Sequence, residues 1–298
     1  MLVDTSSNGT YVAAVADDQT FHDLIEGYCR ELSVRAGDTV EVCISTTADH
    51  FDLTVQRWGA ERETVWSATG RTGSHHELPV DADAHGCGWP VTIEIPTDSS
   101  WRSGFHLITL TADRGPADRR VAHAGFVIRT AGQPRRAILV LGTNTWNAYN
   151  TWGGKSLYTG GKQVSFHRPF ARGMLDRPEV ERDDRKARPV YTGEEPDADG
   201  LIFQAYRTER NYPSAIGSTG WFTHERRFAE WAERGGYAFD YATSSDLEHD
   251  PSALDGYDLV LSVGHDEYWS AHQRDTLERH VAGGGHFVSF SGNTMFWQ

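Results

Sequence analysis

The apolar run at residues 137–141, Ala-Ile-Leu-Val-Leu, is the feature that most constrains how this chain can fold. An uninterrupted run of this kind is typical of a strand that is covered on both faces, as in a parallel sheet. Further apolar runs follow at 237–242, 258–263 and 286–291. Strands that alternate with helices in this way build a right-handed parallel sheet with helices on its faces.

Two helices are predicted among these strands. One covers about residues 223–234 and ends at Gly235, and the other begins at Ser270, where Gln273 completes a capping box. Four parallel strands without a closing helix would leave an apolar edge and face uncovered. Because the sequence stops at Gln298, soon after the fourth strand, we expect it to be cut inside a larger domain.

Residues 28–129 follow a different pattern, in which short strands are separated by turn residues. At Val40-x-Val42-x-Ile44 the apolar residues recur with a period of two. Several such runs without helical periodicity predict an antiparallel β-sandwich of jelly-roll or immunoglobulin-like type. The tryptophans of this part either belong to its core or line a groove for glycans, and they are Trp58, Trp66, Trp89 and Trp101.

Together these patterns predict a mixed fold in three parts. An N-terminal extension at 1–27 is followed by the β-sandwich at 28–131 and by an incomplete α/β catalytic domain at 136–298. The α/β part resembles the fold of class I glutamine amidotransferases. It contains no cysteine, however, which removes the thiol nucleophile of those enzymes.

The charge balance excludes several classes of partner. A net charge of −14 argues against nucleic acid, because phosphate binding needs clustered Lys and Arg side chains. No stretch approaches the roughly 18 apolar residues of a membrane helix, and the first residues lack the pattern of a signal peptide. We therefore expect a cytoplasmic protein that binds neither nucleic acid nor membrane. Its cysteines, Cys29, Cys43 and Cys87, are expected to be buried or incidental thiols in a reducing compartment.

Chemistry is expected at the carboxyl ends of the parallel strands, where open α/β sheets bind their ligands. Three loops leave these ends, at 142–154, 264–269 and 291–294. The second loop, Gly-His-Asp-Glu-Tyr-Trp, brings an imidazole and two carboxylates to the start of a helix. The carboxylates could merely favour the positive end of that helix, but this would not require His265 or the two aromatic residues.

The connection after the first parallel strand is unusually long. About eighty residues lead from Leu141 to the first predicted helix, whereas such connections usually take ~2–6 residues. Long loops are more often functional than decorative, so this insert is expected to fold over the catalytic edge of the sheet. Spacing alone does not choose among its tyrosines. The chain shows no Gly-x-Ser-x-Gly elbow, phosphate loop or zinc-ligand spacing.

Four segments at these loops resemble the large-subunit family of N,N-dimethylformamidase. Residues 143–158 read Thr-Asn-Thr-Trp-Asn-Ala-Tyr-Asn-x-Trp-Gly-Gly-x-Ser-Leu-Tyr, and residues 164–169 read Val-Ser-Phe-His-Arg-Pro. Residues 257–269 read Tyr-Asp-Leu-Val-Leu-Ser-Val-Gly-His-Asp-Glu-Tyr-Trp, and residues 291–294 read Ser-Gly-Asn-Thr. The resemblance covers about residues 136–298, and the preceding sandwich is similar to the N-terminal module of that family.

The resemblance implies a mononuclear ferric iron site that is held by two tyrosines and one glutamate. Matching the motifs places these ligands at Tyr149, Tyr158 and Glu267. The resemblance further implies that His265 moves protons and that Asn293 orients the substrate. The tyrosines that stay open as alternatives for the second ligand are Tyr191 and Tyr206.

The function that the resemblance implies is hydrolysis of the C–N bond of a small N-substituted formamide or amide. That family also implies a small partner subunit and leaves room for a homo-oligomer. Two other readings stay open. The same scaffold could act on another substrate, such as a carbohydrate derivative, or the chain could be a non-catalytic binding protein or a truncated remnant.

Overall fold

A computed structural model describes residues 24–115, 119–177 and 219–298 of the chain. The part up to residue 129, called here the N-terminal sheet region, is built mainly from antiparallel strands. Its elements are β1 (Ile25–Cys29), β2 (Ser33–Arg35), β3 (Thr39–Thr46), β4 (His50–Trp58), β5 (Arg62–Thr72), α1 (Ala82–His85), β6 (Val91–Pro96), β7 (Gly104–Ala112) and β8 (Val121–Arg129).

Two sheets make up the N-terminal sheet region. The smaller has the order β1-β3-β6, and the larger has the order β2-β8-β7-β4-β5, in which only the β2–β8 pair is parallel. The period of two at Val40, Val42 and Ile44 places all three side chains in one core. That core also takes Leu53 and Leu110 from the larger sheet, so the two sheets bury their apolar faces together.

The remaining described residues from 137 onward form what is called here the parallel-sheet region. Helices follow or connect its strands, as expected from the sequence. Its elements are β9 (Ala137–Leu141), α2 (Thr143–Tyr149), α3 (Glu225–Arg234), β10 (Asp240–Thr243), α4 (Ser244–His249), β11 (Leu259–His265), α5 (Ala271–Ala282) and β12 (His286–Gly292).

The order of this sheet is β10-β9-β11-β12, and every pair is parallel. The apolar run in β9 is buried on both faces, which explains why it is continuous. Ile138 and Val140 pack on one side with Leu247 and Leu277, and Leu139 packs on the other side in a core that reaches the N-terminal sheet region.

Contacts between the two regions are both apolar and charged. Phe105 of β7 stacks on Trp221 with ring centroids 4.4 Å apart. Arg57 of β4 donates two hydrogen bonds to Glu233 of α3, at 3.0 and 2.7 Å. Because Arg57 is buried and its charge is paired in this forked geometry, the contact also fixes the orientation of the two regions.

The expected sequence of an antiparallel part followed by a parallel sheet is confirmed. Two local predictions were wrong. Residues 143–149 were assigned to a loop, but they form helix α2, which starts directly after β9. The strand predicted at 237–242 begins at Asp240, because the turn at Gly235 and Gly236 places the following residues outside the sheet.

The three cysteines are buried free thiols, as predicted. Burial raises the pKa of the Cys87 thiol to about 12, so this thiol stays protonated at neutral pH. Across the described residues, no helix is long and apolar enough to cross a membrane.

Candidate active site

The carboxyl ends of β9 and β11 lie side by side and open onto the same edge of the sheet. Helix α2 follows β9 and ends at Tyr149, while Glu267 comes two residues after the end of β11. These two residues are far apart in sequence, yet the Tyr149 hydroxyl donates a hydrogen bond to Glu267 Oε2 at 3.1 Å. The parallel pairing of neighbouring strands therefore creates the site.

A second tyrosine from the insert reaches the same carboxylate oxygen. The Tyr158 hydroxyl donates to Glu267 Oε2 at 2.7 Å, and the rings of Tyr149 and Tyr158 stack with centroids 4.0 Å apart. Burial raises the pKa of Tyr149 to about 12 and also raises the pKa of Tyr158, so both phenols hold their protons at neutral pH. Three oxygen atoms thus converge on one point.

The Glu267 carboxylate is buried and fixed from several directions. Its Oε1 accepts a hydrogen bond from the Trp297 indole at 3.0 Å. Its backbone N–H donates at 2.8 Å to the hydroxyl of Thr145, which lies one helical turn before Tyr149 in α2. The same hydroxyl accepts the backbone N–H of Tyr268 at 3.2 Å. Thr145 therefore ties the two loops of the site together.

His265 approaches the same carboxylate oxygen as the two tyrosines. Its Nε2 is 3.3 Å from Glu267 Oε2 and 3.4 Å from the Asn293 side-chain nitrogen. Burial lowers the pKa of His265, and the negative charge of Glu267 opposes this only in part. A neutral ring at neutral pH can accept a proton at this nitrogen. Asn293 itself has a φ of 51°, a conformation that Asn tolerates better than most residues.

Asp266 has a separate place in the structure. It is buried, and its Oδ2 accepts a hydrogen bond from the Ser262 hydroxyl in β11 at 2.7 Å. Burial raises the pKa of Asp266 to about 6. This hydrogen bond joins Asp266 to the strand that carries the loop and not to the tyrosine pair.

Several residues of the site have no counterpart among the sequence-predicted set. The Tyr268 hydroxyl donates to the Tyr158 hydroxyl at 3.0 Å. The buried guanidinium of Arg168 donates to the carbonyls of Trp152 at 2.6 Å and of Asn150 at 3.0 Å, which shapes the chain after α2. Tyr268 adjoins Glu267 in sequence, so its proximity could have been foreseen, whereas the partners of Arg168 are backbone atoms that leave no sequence signal.

The structure thus brings Tyr149, Tyr158 and His265 together around Glu267 Oε2 and places Asn293 beside the imidazole. The alternatives Tyr191 and Tyr206 lie outside the described residues. Within the described ranges, no group of three or more His, Cys, Asp or Glu side chains could hold a metal ion. The oxygen cluster is of another kind, since two of its three oxygen atoms belong to tyrosine.

Comparison with solved structures gives only weak likenesses. One chain from a study of T cell activation by the bacterial superantigen toxic shock syndrome toxin-1 has a TM-score of 0.23 and 11% identity, over 36% of this chain and 98% of that chain. The tandem V-type regions of VCBP3, a chitin binding protein, have a TM-score of 0.22 and 11% identity, over 39% of this chain and 59% of that chain. At such TM-scores neither likeness bears on fold or function.

Sequence comparison gives a clear result. The N,N-dimethylformamidase beta subunit of Paracoccus aminophilus is 25% identical over 221 residues, which is 71% of this chain and 28% of that protein. The chain therefore spans little more than a quarter of that relative. The profile of a family described as N,N-dimethylformamidase beta subunit-like, C-terminal, matches residues 52–298. The matched range covers the N-terminal sheet region from β4 onward, the parallel-sheet region and every site residue described above. The chain belongs to the N,N-dimethylformamidase beta subunit-like family.

Proposed function

We propose that this chain carries the active site of a metal-dependent amidohydrolase that cleaves the C–N bond of small N-substituted formamides or amides. The observation that carries the proposal is the convergence of the Tyr149 and Tyr158 hydroxyls on one oxygen of Glu267. The matched relative is a subunit of an N,N-dimethylformamidase, which supports this reaction class.

The three oxygen donors fit a mononuclear ferric ion. Phenol and carboxylate oxygens are hard ligands, and hard, highly charged cations prefer them. The raised pKa values of the two phenols mean that only a strong Lewis acid would displace their protons. Once deprotonated, Tyr149, Tyr158 and Glu267 would together supply three negative charges and neutralise the ion. The bound ion would supply Lewis-acid activation of the amide carbonyl or of water.

The side chains around this cluster supply the proton transfer and the orientation of the substrate. His265, with its lowered pKa, would take a proton from water at Nε2 and return it to the departing amine. Asn293, within 3.4 Å of that nitrogen, would orient the amide group. Addition of one water to the amide then gives the carboxylic acid and the amine.

The surrounding architecture and assembly are part of the same proposal. The N-terminal sheets would be a jelly-roll or immunoglobulin-like β-sandwich of residues 28–131, after an extension at 1–27. The catalytic domain of 136–298 would have an α/β fold similar to that of glutamine amidotransferases. The proposed partners are a small subunit and further copies of this chain in a homo-oligomer, and the proposed location is the cytoplasm. The matched relative is itself named as a subunit.

One observation favours a second substrate class on the same scaffold. Aromatic side chains near Glu267 are partly open to solvent: Tyr158 is 37% exposed, Trp297 is 49% exposed and Phe296 is 66% exposed. Flat aromatic surfaces stack well on the apolar faces of sugar rings. A carbohydrate derivative is therefore the alternative substrate.

The test is reconstitution of the purified protein with Fe(III). We expect a visible tyrosinate-to-iron charge-transfer band and hydrolysis of N-substituted formamides to the acid and the amine. Tyr149→Phe should weaken the band and abolish hydrolysis. Tyr257→Phe is the matched control, because that hydroxyl donates to Asp240 at the amino end of β10, on the edge of the sheet opposite the site.

Each other outcome of this test has a distinct meaning. A band without formamide hydrolysis would favour the carbohydrate alternative. A colourless, metal-free protein with an intact fold would overturn the proposal and support a non-catalytic binding role.

A further inference from the structure

We propose that the N-terminal sheet region is a working part of the site, because it holds the loop that presents Tyr158, and that Asp83 is the positioning residue for this. The inference rests on the proposed function, in which Tyr158 is a metal ligand. Two names are used below. The supporting segment is residues 82–89 of the N-terminal sheet region, and the tyrosine loop is residues 150–168 of the insert.

Polar contacts join the supporting segment to the tyrosine loop along its length. The Asp83 carboxylate accepts the backbone N–H of Lys155 at 2.9 Å, and the Asp83 carbonyl accepts the backbone N–H of Ser165 at 2.8 Å. The backbone N–H of Cys87 donates to the carbonyl of His167 at 2.8 Å. Asp83 thus contacts the loop on both sides of Tyr158.

Packing contacts follow the same path. Trp89 and Trp152 meet edge to face with centroids 5.8 Å apart, and both are buried in the core shared with Ala82. Gly86 has a φ of 86°, and a Cβ there would come within 2.9 Å of the His167 carbonyl oxygen. The two backbones approach so closely that only glycine fits without a shift.

Tyr158 depends on these anchors because it lies outside any helix or strand. The Asp83 bond holds the chain three residues before it, at Lys155. The backbone N–H of Leu157 donates to the Ala148 carbonyl in α2 at 3.0 Å. Between these anchors the phenol reaches Glu267 at 2.7 Å. A ligand on an irregular loop keeps its place only through such outer contacts.

The experiment compares Asp83→Ala with Asp83→Asn in the full chain. The amide can still accept the Lys155 N–H, whereas alanine cannot. Since Asp83 also favours the charge on Arg168, the amide variant separates loss of charge from loss of the hydrogen bond. Asp52→Ala is the matched control, because Asp52 accepts the backbone N–H of Gly70 on the exposed β5 strand, within the same region.

Four quantities are measured for each variant: Fe(III) affinity, the charge-transfer band, the melting temperature, and hydrogen exchange of peptides from the tyrosine loop. We expect Asp83→Ala to lower Fe(III) affinity about tenfold, as loss of an outer-shell contact does in other metal sites. Exchange in the tyrosine loop should rise, and the melting temperature should stay close to wild type. Asp83→Asn and Asp52→Ala should match wild type in affinity, band and exchange.

The inference is overturned if Asp83→Ala binds iron as wild type does, or if Asp52→Ala lowers the affinity equally. A wild-type protein that binds no iron overturns the proposed function first, and the inference falls with it. If Asp83→Ala does not fold, Gln163→Ala takes its place, since it removes only the 3.1 Å bond to the Ala84 carbonyl. A loss of about threefold in affinity would then support the inference, and no loss would overturn it.

Discussion

The two regions treat buried polar groups differently. In the N-terminal sheet region the buried ring of His106 keeps a nitrogen without a hydrogen-bond partner, and burial lowers its pKa to about 3, so it stays neutral. In the parallel-sheet region the buried carboxyls of Glu225 and Asp266 each keep an oxygen without a partner, and burial raises their pKa values to about 8 and about 6. The unpaired group of the first region is thus neutral, whereas those of the second are acidic and lie next to the elements that carry the site, Asp266 beside Glu267 and Glu225 against Trp146 of α2. Buried polar groups without hydrogen-bond partners are expected where function requires them.

The largest expected effect is that of Glu267→Gln, which tests whether Fe(III) binding can be lost without loss of the fold. The amide keeps the shape but loses the charge that both phenols share. We expect Fe(III) affinity to fall at least about a thousandfold, near 4 kcal/mol, with melting temperature unchanged or higher. Titration with Fe(III) and calorimetry measure the two quantities. A variant that unfolds would show that the carboxylate has a structural role.

A substitution in the core of the N-terminal sheet region is expected to have the opposite effect, lowering stability while leaving turnover unchanged. Leu53 is buried between the two sheets, in a core to which neither tyrosine of the site belongs. Leu53→Ala should lower the free energy of unfolding by about 3 kcal/mol and leave turnover per folded molecule unchanged. Denaturant titration and active-site counting check this. Reduced turnover in the folded fraction would show that this core also acts on the site, in addition to the supporting segment.

The buried carboxyl of Glu225 gives a test by pH. A folded-state pKa of about 8 lies above the ordinary value of 4.5, so its contribution to stability is present at low pH and is lost as pH rises toward 8. The slope is at most about 1.4 kcal/mol per pH unit. Glu225→Gln should flatten the stability between pH 5 and 8, as measured by urea unfolding. An unchanged slope would assign the pH dependence to other groups.

The smallest expected effect concerns the link between the two loops of the site. Thr145→Val keeps the shape but leaves the backbone N–H groups of Glu267 and Tyr268 without an acceptor. We expect about tenfold weaker Fe(III) binding, in keeping with the ~1–3 kcal/mol that unsatisfied buried donors cost. Thr145→Ser should behave as wild type in Fe(III) titrations. Equal loss in both variants would point to the methyl group instead.

Local sequence signals predicted the local structure well. The capping box at Ser270 and Gln273 forms with both of its hydrogen bonds. The buried Trp58 and Trp89 belong to the core rather than to an open groove. These features depend on neighbours in sequence or on apolar burial, and both leave patterns that can be read directly. Helix α2 was missed because Thr and Asn at its start favour turns as readily as helices.

The site itself was only partly predictable from local patterns. Strand order explains why the loop with Glu267 meets the end of α2, but Tyr158 was placed by family resemblance and not by spacing. Trp297 and Asp83 act through contacts across long sequence separations, with a carboxylate oxygen and a backbone N–H. Such contacts need no particular spacing, so the sequence carries no periodic signal for them.

Because both phenols share one carboxylate oxygen, uptake of a cation from solvent would be coupled to release of protons. Tyr149 and Tyr158 each direct a proton at Glu267 Oε2, so an incoming cation would take the place of two protons. Uptake would acidify an unbuffered solution by two equivalents per ion, and apparent affinity would rise about a hundredfold for each unit of pH. The pair of phenols would therefore make binding of the proposed cation a proton-releasing reaction, tight in mildly alkaline surroundings and readily reversed by acid.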